Sequence, residues 1–235
     1  MWLNYTLPPS ACQFQAARHA GAAIARPGAT GYNAVLTLQQ QKENLMKSKN
    51  IIRIALVTVF LLLIPLVAMQ FDNGVNWNLF DFIVAGALLF GSGLAYELIA
   101  RKGGHAAYRA AVGVAVAAAL LLVWINLAVG IIGSENNPVN ALYFLVVFIG
   151  IIGVGIARFR PRGMAWTLFA TAIAQLLVPV IALFIGKSQA RALQDPPGFV
   201  GVLALNAFFA MLFVVSGLLF RHSAQDRSTG TAAVN

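Results

Sequence analysis

The sequence predicts an all-α fold, a six-transmembrane-helix bundle with both termini on the inner side (N-in/C-in), and three observations predict it. The chain is 60% hydrophobic and 10% charged, with mean hydropathy +0.79, whereas a soluble domain is about 45–50% apolar and about 25% charged. Six separate windows are each apolar over the roughly 20 residues that a helix needs to cross about 30 Å of hydrocarbon. The third observation is where Lys and Arg stand, at the ends of those windows and almost all on one side. A closed barrel is excluded, because its strands alternate apolar and polar residues over about 10 positions. A run such as VTVFLLLIPLVAM is apolar throughout, and in lipid its amides must then be satisfied within a helix.

Residues 1–45 show no helical apolar stripe and no strand alternation, and read as a disordered or mis-annotated N-terminal extension. They hold no secretory signal, which needs a basic start and a continuous apolar core. Ser10-Ala11-Cys12 is no lipoprotein site, since Pro9 stands where an aliphatic residue belongs. At Met46 the character changes: MKSKNIIRIALVTVFLLL has the basic lead and long apolar run of an uncleaved signal-anchor. Lys42-Glu43, shortly before it, can be encoded as a ribosome-binding sequence. Translation is therefore expected to begin at Met46, the alternative being a genuine disordered cytoplasmic tail.

The membrane domain is expected over residues 46–222, with a short cytoplasmic tail at 223–235. Its first helix, about 51–70, contains Pro65. The second, about 79–100, has Asp81 near its outer end, where a carboxylate caps a helix and favours the dipole, and Glu97 near its inner end. The third, about 109–132, is rich in alanine, begins with Arg109 as a snorkelling anchor and carries Asn126. The fourth spans about 140–158. The fifth, about 164–186, holds Gln175 and Pro179, and the sixth, about 198–220, holds Asn206.

Orientation follows from the charges. Of the 16 Lys and Arg residues, all but Lys187 and Arg191 precede or begin the first window, fall in or at the edges of the second and fourth connections, or follow the sixth. Lys and Arg are retained on the cytoplasmic side, so this asymmetry places both termini inside. Trp77, Tyr108 and Trp166 sit at the depths where amphipathic rings prefer the interface.

Ionisable groups within a span are costly and draw attention to function. Glu97 precedes Arg101 at i,i+4, the favourable order for a helical ion pair, with Arg109 close by in sequence. It reads either as a structural pair or as a carboxylate that handles protons or cations. Asn126, Gln175 and Asn206 lie deeper, each on a different helix. Amides at such depth join helices, and the sharper alternative is that all three share one central surface as a substrate site. Small residues at Ala87, Gly91 and Ala95, and at Gly113 and Ala117, predict close helix approach. Pro65 and Pro179 each remove a helical hydrogen bond, and paired broken helices are also a transporter feature. A duplicated hairpin is a further option, from the echo of Ile99-Ala100-Arg101 and AVAAALLLV in Ile156-Ala157-Arg158 and ATAIAQLLV.

Several chemistries are excluded by the residues. The net charge of +9 comes from residues at span ends and not from a folded basic face, so no nucleic acid is expected. A single cysteine, Cys12, allows no internal disulfide and no cysteine-based zinc or haem attachment. His19, His105 and His222 lie outside the six windows and supply no pair of axial haem ligands. Gly186-Lys187-Ser188 lacks the first glycine of a phosphate loop, Ile181 standing there. The sequence implies no catalytic residue, no metal and no cofactor, and an enzyme is disfavoured, a lipid-modifying activity at Glu97 or Asp81 being the one form left open. Expected partners are the lipid bilayer and either another membrane protein or a second copy.

From Met46 onward the chain resembles a family of uncharacterised bacterial polytopic inner-membrane proteins. The likeness is carried by KNIIRIALVTVFLLLIPLVAMQF, FDFIVAGALLFGSGLAYELIARK, YRAAVGVAVAAALLLVWINLAVGIIGSENNP and IARFRPRGMAWTLFATAIAQ. It implies the six-helix architecture and a bacterial inner-membrane location, and no activity. Two functions are therefore expected to compete: a noncatalytic membrane module or accessory subunit, and a small transporter or channel using Glu97 and the mid-membrane amides.

Overall fold

The computed structural model describes residues 29–71, 76–134, 136–184 and 198–232. Among them there are helices and no strand. The chain divides into two units, Met1–Ile52 and Arg53–Asn235.

The elements are α1 (Ala29–Ala68), a 3-10 turn at Met69–Phe71, α2 (Leu79–Ala100), α3 (Ala106–Ala128), a second 3-10 turn at Pro138–Asn140, α4 (Ala141–Ala157), α5 (Pro161–Phe184) and α6 (Gly198–Ala232). Six of these segments are long and apolar enough to cross a membrane: Ser48–Phe71, Leu79–Ala100, Ala106–Ala128, Pro138–Ala157, Pro161–Phe184 and Gly198–Gln225.

Several boundaries differ from the sequence reading, each for a local reason. α1 begins at Ala29, within the stretch expected to lack structure. From Ala34 to Asn50 that stretch has neither Gly nor Pro and is rich in Leu, Gln and Lys, which propagate a helix without an apolar stripe. Residues 1–28 lie outside the described residues. α3 stops at Ala128, four residues early, because the chain turns through Gly130 and Gly133 at positive φ, a conformation that glycine adopts without strain. α5 starts at Pro161, the first helical position being where a missing N–H is harmless. α6 continues to Ala232, so residues 223–232, expected as a tail, extend the last helix and His222 falls within its spanning segment.

The second unit packs around α6. Its most extensive contact is with α5, followed by α6 with α3 and α4 with α5, while α2 rests on α3. Tyr108, Leu122, Tyr143, Phe209 and Phe220 are fully enclosed. The lipid-facing sides are just as apolar, with Phe60, Ile83, Phe148, Ile151 and Val200 all exposed. That inversion is expected where the solvent is hydrocarbon and apolar burial drives nothing. Close packing decides instead. Ala111, Ala118, Ala165, Ala172, Ala182 and Ala210 are buried between helices. A Cβ at Gly217 would meet the Phe169 ring at 2.8 Å, and one at Gly153 would strike Thr167. α1 takes least part, Thr58 alone of its spanning residues being buried; Ile54 touches α2 at Gly93.

Candidate functional site

The deepest polar constellation lies where α4, α5 and α6 meet. Tyr143 is in the first turn of α4, Gln175 is in the middle of α5, and Asn206 is two turns into α6; none is more than 1% exposed. Gln175 Nε2 donates to Asn206 Oδ1 at 3.0 Å, and Asn206 Nδ2 donates both to Tyr143 Oη at 3.0 Å and to the Val202 carbonyl at 2.8 Å. One asparagine thus ties three helices. The pairing satisfies groups that would each be costly to leave bare in an apolar interior. Gln175 Oε1 alone in this cluster is buried without a partner.

The three amides, for which a shared surface is the alternative to separate helix ties, do not form one hydrogen-bonded set. Asn126 instead donates through Nδ2 to the Asn140 carbonyl at 3.0 Å, which ties the C-terminal end of α3 to the start of α4. Asn140 organises that connection. Its Oδ1 accepts from the Ile131 and Ile132 amides at 3.3 and 3.0 Å, and its Nδ2 donates to the Ile132 and Ser134 carbonyls at 3.3 and 2.7 Å. A shallow depression of about 310 Å³ beside it is lined by Asn126, Asn136, Asn137 and Asn140.

The remaining expected residues stand at helix ends. Asp81 is in the first turn of α2 but is not its cap. Asn78 holds that position, its Oδ1 accepting from the Asp81 amide at 3.1 Å while Asp81 Oδ2 accepts from the Asn78 amide at 2.8 Å, a reciprocal capping box. Glu97 pairs with Arg101, both Nε and Nη2 of the guanidinium lying 2.6 Å from Oε1. Arg109 is exposed in the first turn of α3. No cluster of His, Cys, Asp or Glu able to hold a metal ion occurs among the described residues.

The large cavity is elsewhere. A groove of about 490 Å³ runs along α3 between α2 and α4, lined almost wholly by apolar side chains, Ala87, Gly91, Ala95, Val112, Gly150 and Met164 among them. Glu97, Asn126, Gln175 and Asn206 do not line it. The small residues of α2 therefore open a groove instead of marking close approach: a Cβ at Gly91 would meet nothing within 4 Å. Gly113 does meet a neighbour, Tyr96 of α2, and Ala117 is exposed.

Comparison of the chain with family models, curated proteins and solved structures finds no match.

Tyr143 and Asn140 are the polar residues that sequence reasoning missed. Tyr143 opens an apolar run, where a tyrosine normally marks an interface. Asn140 was counted as the first residue of a span. The signal for Asn140 was its place between Gly133 and the apolar run of α4, where a backbone turning through glycines needs a side chain to take up its amides.

Proposed function

We propose that this chain is a noncatalytic module of a bacterial inner membrane, lying N-in/C-in and acting as an accessory subunit for a membrane-protein partner or a second copy of itself. The observation that carries this reading is the Gln175–Asn206–Tyr143 cluster, buried and joined across three helices, none of its members lining either of the two cavities described above. Groups placed to bind a passing solute are open to water at some stage, whereas these are spent on holding helices together. Glu97 supports the same reading, since its partner Arg101 lies one turn away on its own helix. The orientation is supported by Arg101 and Lys102 after α2 and Arg158, Arg160 and Arg162 around the α4–α5 turn. Kinship with the inner-membrane family rests on the four segments quoted above.

A flux assay tests the reading. The purified chain in proteoliposomes, loaded with proton- and cation-sensitive dyes, is expected to match protein-free vesicles under imposed gradients of either sign. A flux present in the wild type and abolished by Glu97→Gln in folded protein would establish a transporter.

A further inference from the structure

We propose that the groove between α2 and α4 holds one acyl chain of an anionic phospholipid, with the lipid phosphate against the basic residues at the groove's Ile99–Met164 end. The length fits one leaflet. From Ala87 to Ile99, both lining residues, α2 rises about 18 Å at 1.5 Å per residue, and half of a hydrocarbon core of about 30 Å is roughly 15 Å. The chemistry fits as well, since no ionisable residue lines the groove and its sides are aliphatic, alanine or glycine over most of their length.

Charge marks the end at which the headgroup lies. Ile99 is followed by Arg101 and Lys102; Val154 lies one turn before Arg158; and the Met164 amide donates to the Arg160 carbonyl at 2.9 Å. Val112 shares a helix face with Arg109 three residues earlier. The two turns carrying these charges are held together there. Lys102 Nζ lies 5.9 Å from the centre of the Phe159 ring, and Tyr108 Oη donates to the Phe159 carbonyl at 3.2 Å. Glu97, the acid at this end, is paired with Arg101, whereas Lys102, Arg158 and Arg160 form no ion pair among the described residues. The opposite end of α2 carries Asp81 in its first turn. An anionic lipid is therefore attracted from one leaflet only.

The test uses the full chain in nanodiscs of equal parts phosphatidylglycerol and phosphatidylcholine, released from the discs and weighed by native mass spectrometry. The expected result is one retained phosphatidylglycerol. Gly91→Phe projects a ring into the groove from a position where an added Cβ meets nothing within 4 Å, so it should fold with a melting temperature close to the wild type's and lose the adduct. The triple variant K102Q/R158Q/R160Q should keep an acyl-chain adduct but lose preference for phosphatidylglycerol, by about fivefold per basic residue removed. Retention of the adduct by folded Gly91→Phe overturns the site, and equal retention of both lipids by the wild type overturns the headgroup assignment. A wild-type dimer without lipid that Gly91→Phe converts to monomer assigns the groove to a second copy and overturns the proposal. These readouts do not depend on transport, so they stand apart from the flux assay.

Discussion

Asn206 shows how one side chain can hold three helices. Replacing it with Leu, similar in size, removes two interhelical hydrogen bonds and leaves Gln175 Nε2 and Tyr143 Oη bare in an enclosed site. At about 0.6–2 kcal/mol per interhelical bond in a membrane, Asn206→Leu is expected to cost roughly 1–4 kcal/mol in a reversible denaturant titration. Gln175→Leu removes the partner, so the double variant should be less destabilised than the sum of the singles. Strict additivity would refute the tie. Strain is the second residue-scale feature. The turn into α5 places Arg158 and Phe159 at φ 48° and 61°, a left-handed conformation that costs an L-residue roughly 1–2 kcal/mol. Arg160 precedes Pro161 and is kept from continuing the helix, so the reversal falls on the two residues before it. Arg158→Gly should therefore raise stability by about 1 kcal/mol in lipid-free detergent, and a decrease in the melting temperature would contradict that account. Gln175 and Asn206 were legible in the sequence as amides at membrane depth, but their pairing was not, because helix rotation about its axis is set by packing partners that lie far apart in sequence. Asp81 was placed at the right helix end and takes up the Asn78 amide there, but the N-cap position itself belongs to Asn78, three residues earlier, with which it forms the reciprocal capping box.

The helices were legible as elements because lipid permits so few alternatives to them, while their ends were written in residues that act locally. Gly130 and Gly133 end α3, Pro161 starts α5, and Asn140 fastens the loop between α3 and α4. The ranking of helices by burial was not legible, since α1 and α6 are equally apolar in sequence and only contacts tell them apart. That difference predicts unequal tolerance to mutation. Phe60 on α1 is 68% exposed and Phe209 on α6 is 0% exposed. Both face an apolar surrounding, so the transfer energy that dominates in soluble proteins is nearly absent here and only the packing lost in a cavity counts. Phe60→Ala is expected to change stability by less than about 0.5 kcal/mol, and Phe209→Ala to cost on the order of 2–4 kcal/mol. Equal losses at the two sites in the same denaturant titration would show that α1 is packed as firmly as α6.

For the whole molecule the decisive quantity is the direction in which it lies in the bilayer, and the orientation proposed above rests on the charges. The turn between α2 and α3 brings Arg101 and Lys102 to the same side as Arg158 and Arg160 between α4 and α5, as the 5.9 Å approach of Lys102 to Phe159 requires. The other end of the bundle carries Trp77 against Trp124 at 5.8 Å and the uncharged asparagines around Asn140. Moving basic groups through hydrocarbon is costly, so the proposed orientation keeps the end bearing Arg101, Lys102, Arg158 and Arg160 cytoplasmic, with both termini on that side of the six spans. Single cysteines in a Cys12→Ser background test this. Asn76 and Asn136 are exposed at the opposite end of the bundle. Cysteines at Asn76 and Asn136 should react with an impermeant thiol reagent in intact spheroplasts, while one at the exposed Gly104 should react only after lysis. Labelling at Gly104 before lysis, with Asn76 and Asn136 protected, would invert the molecule and place the proposed lipid headgroup site in the outer leaflet.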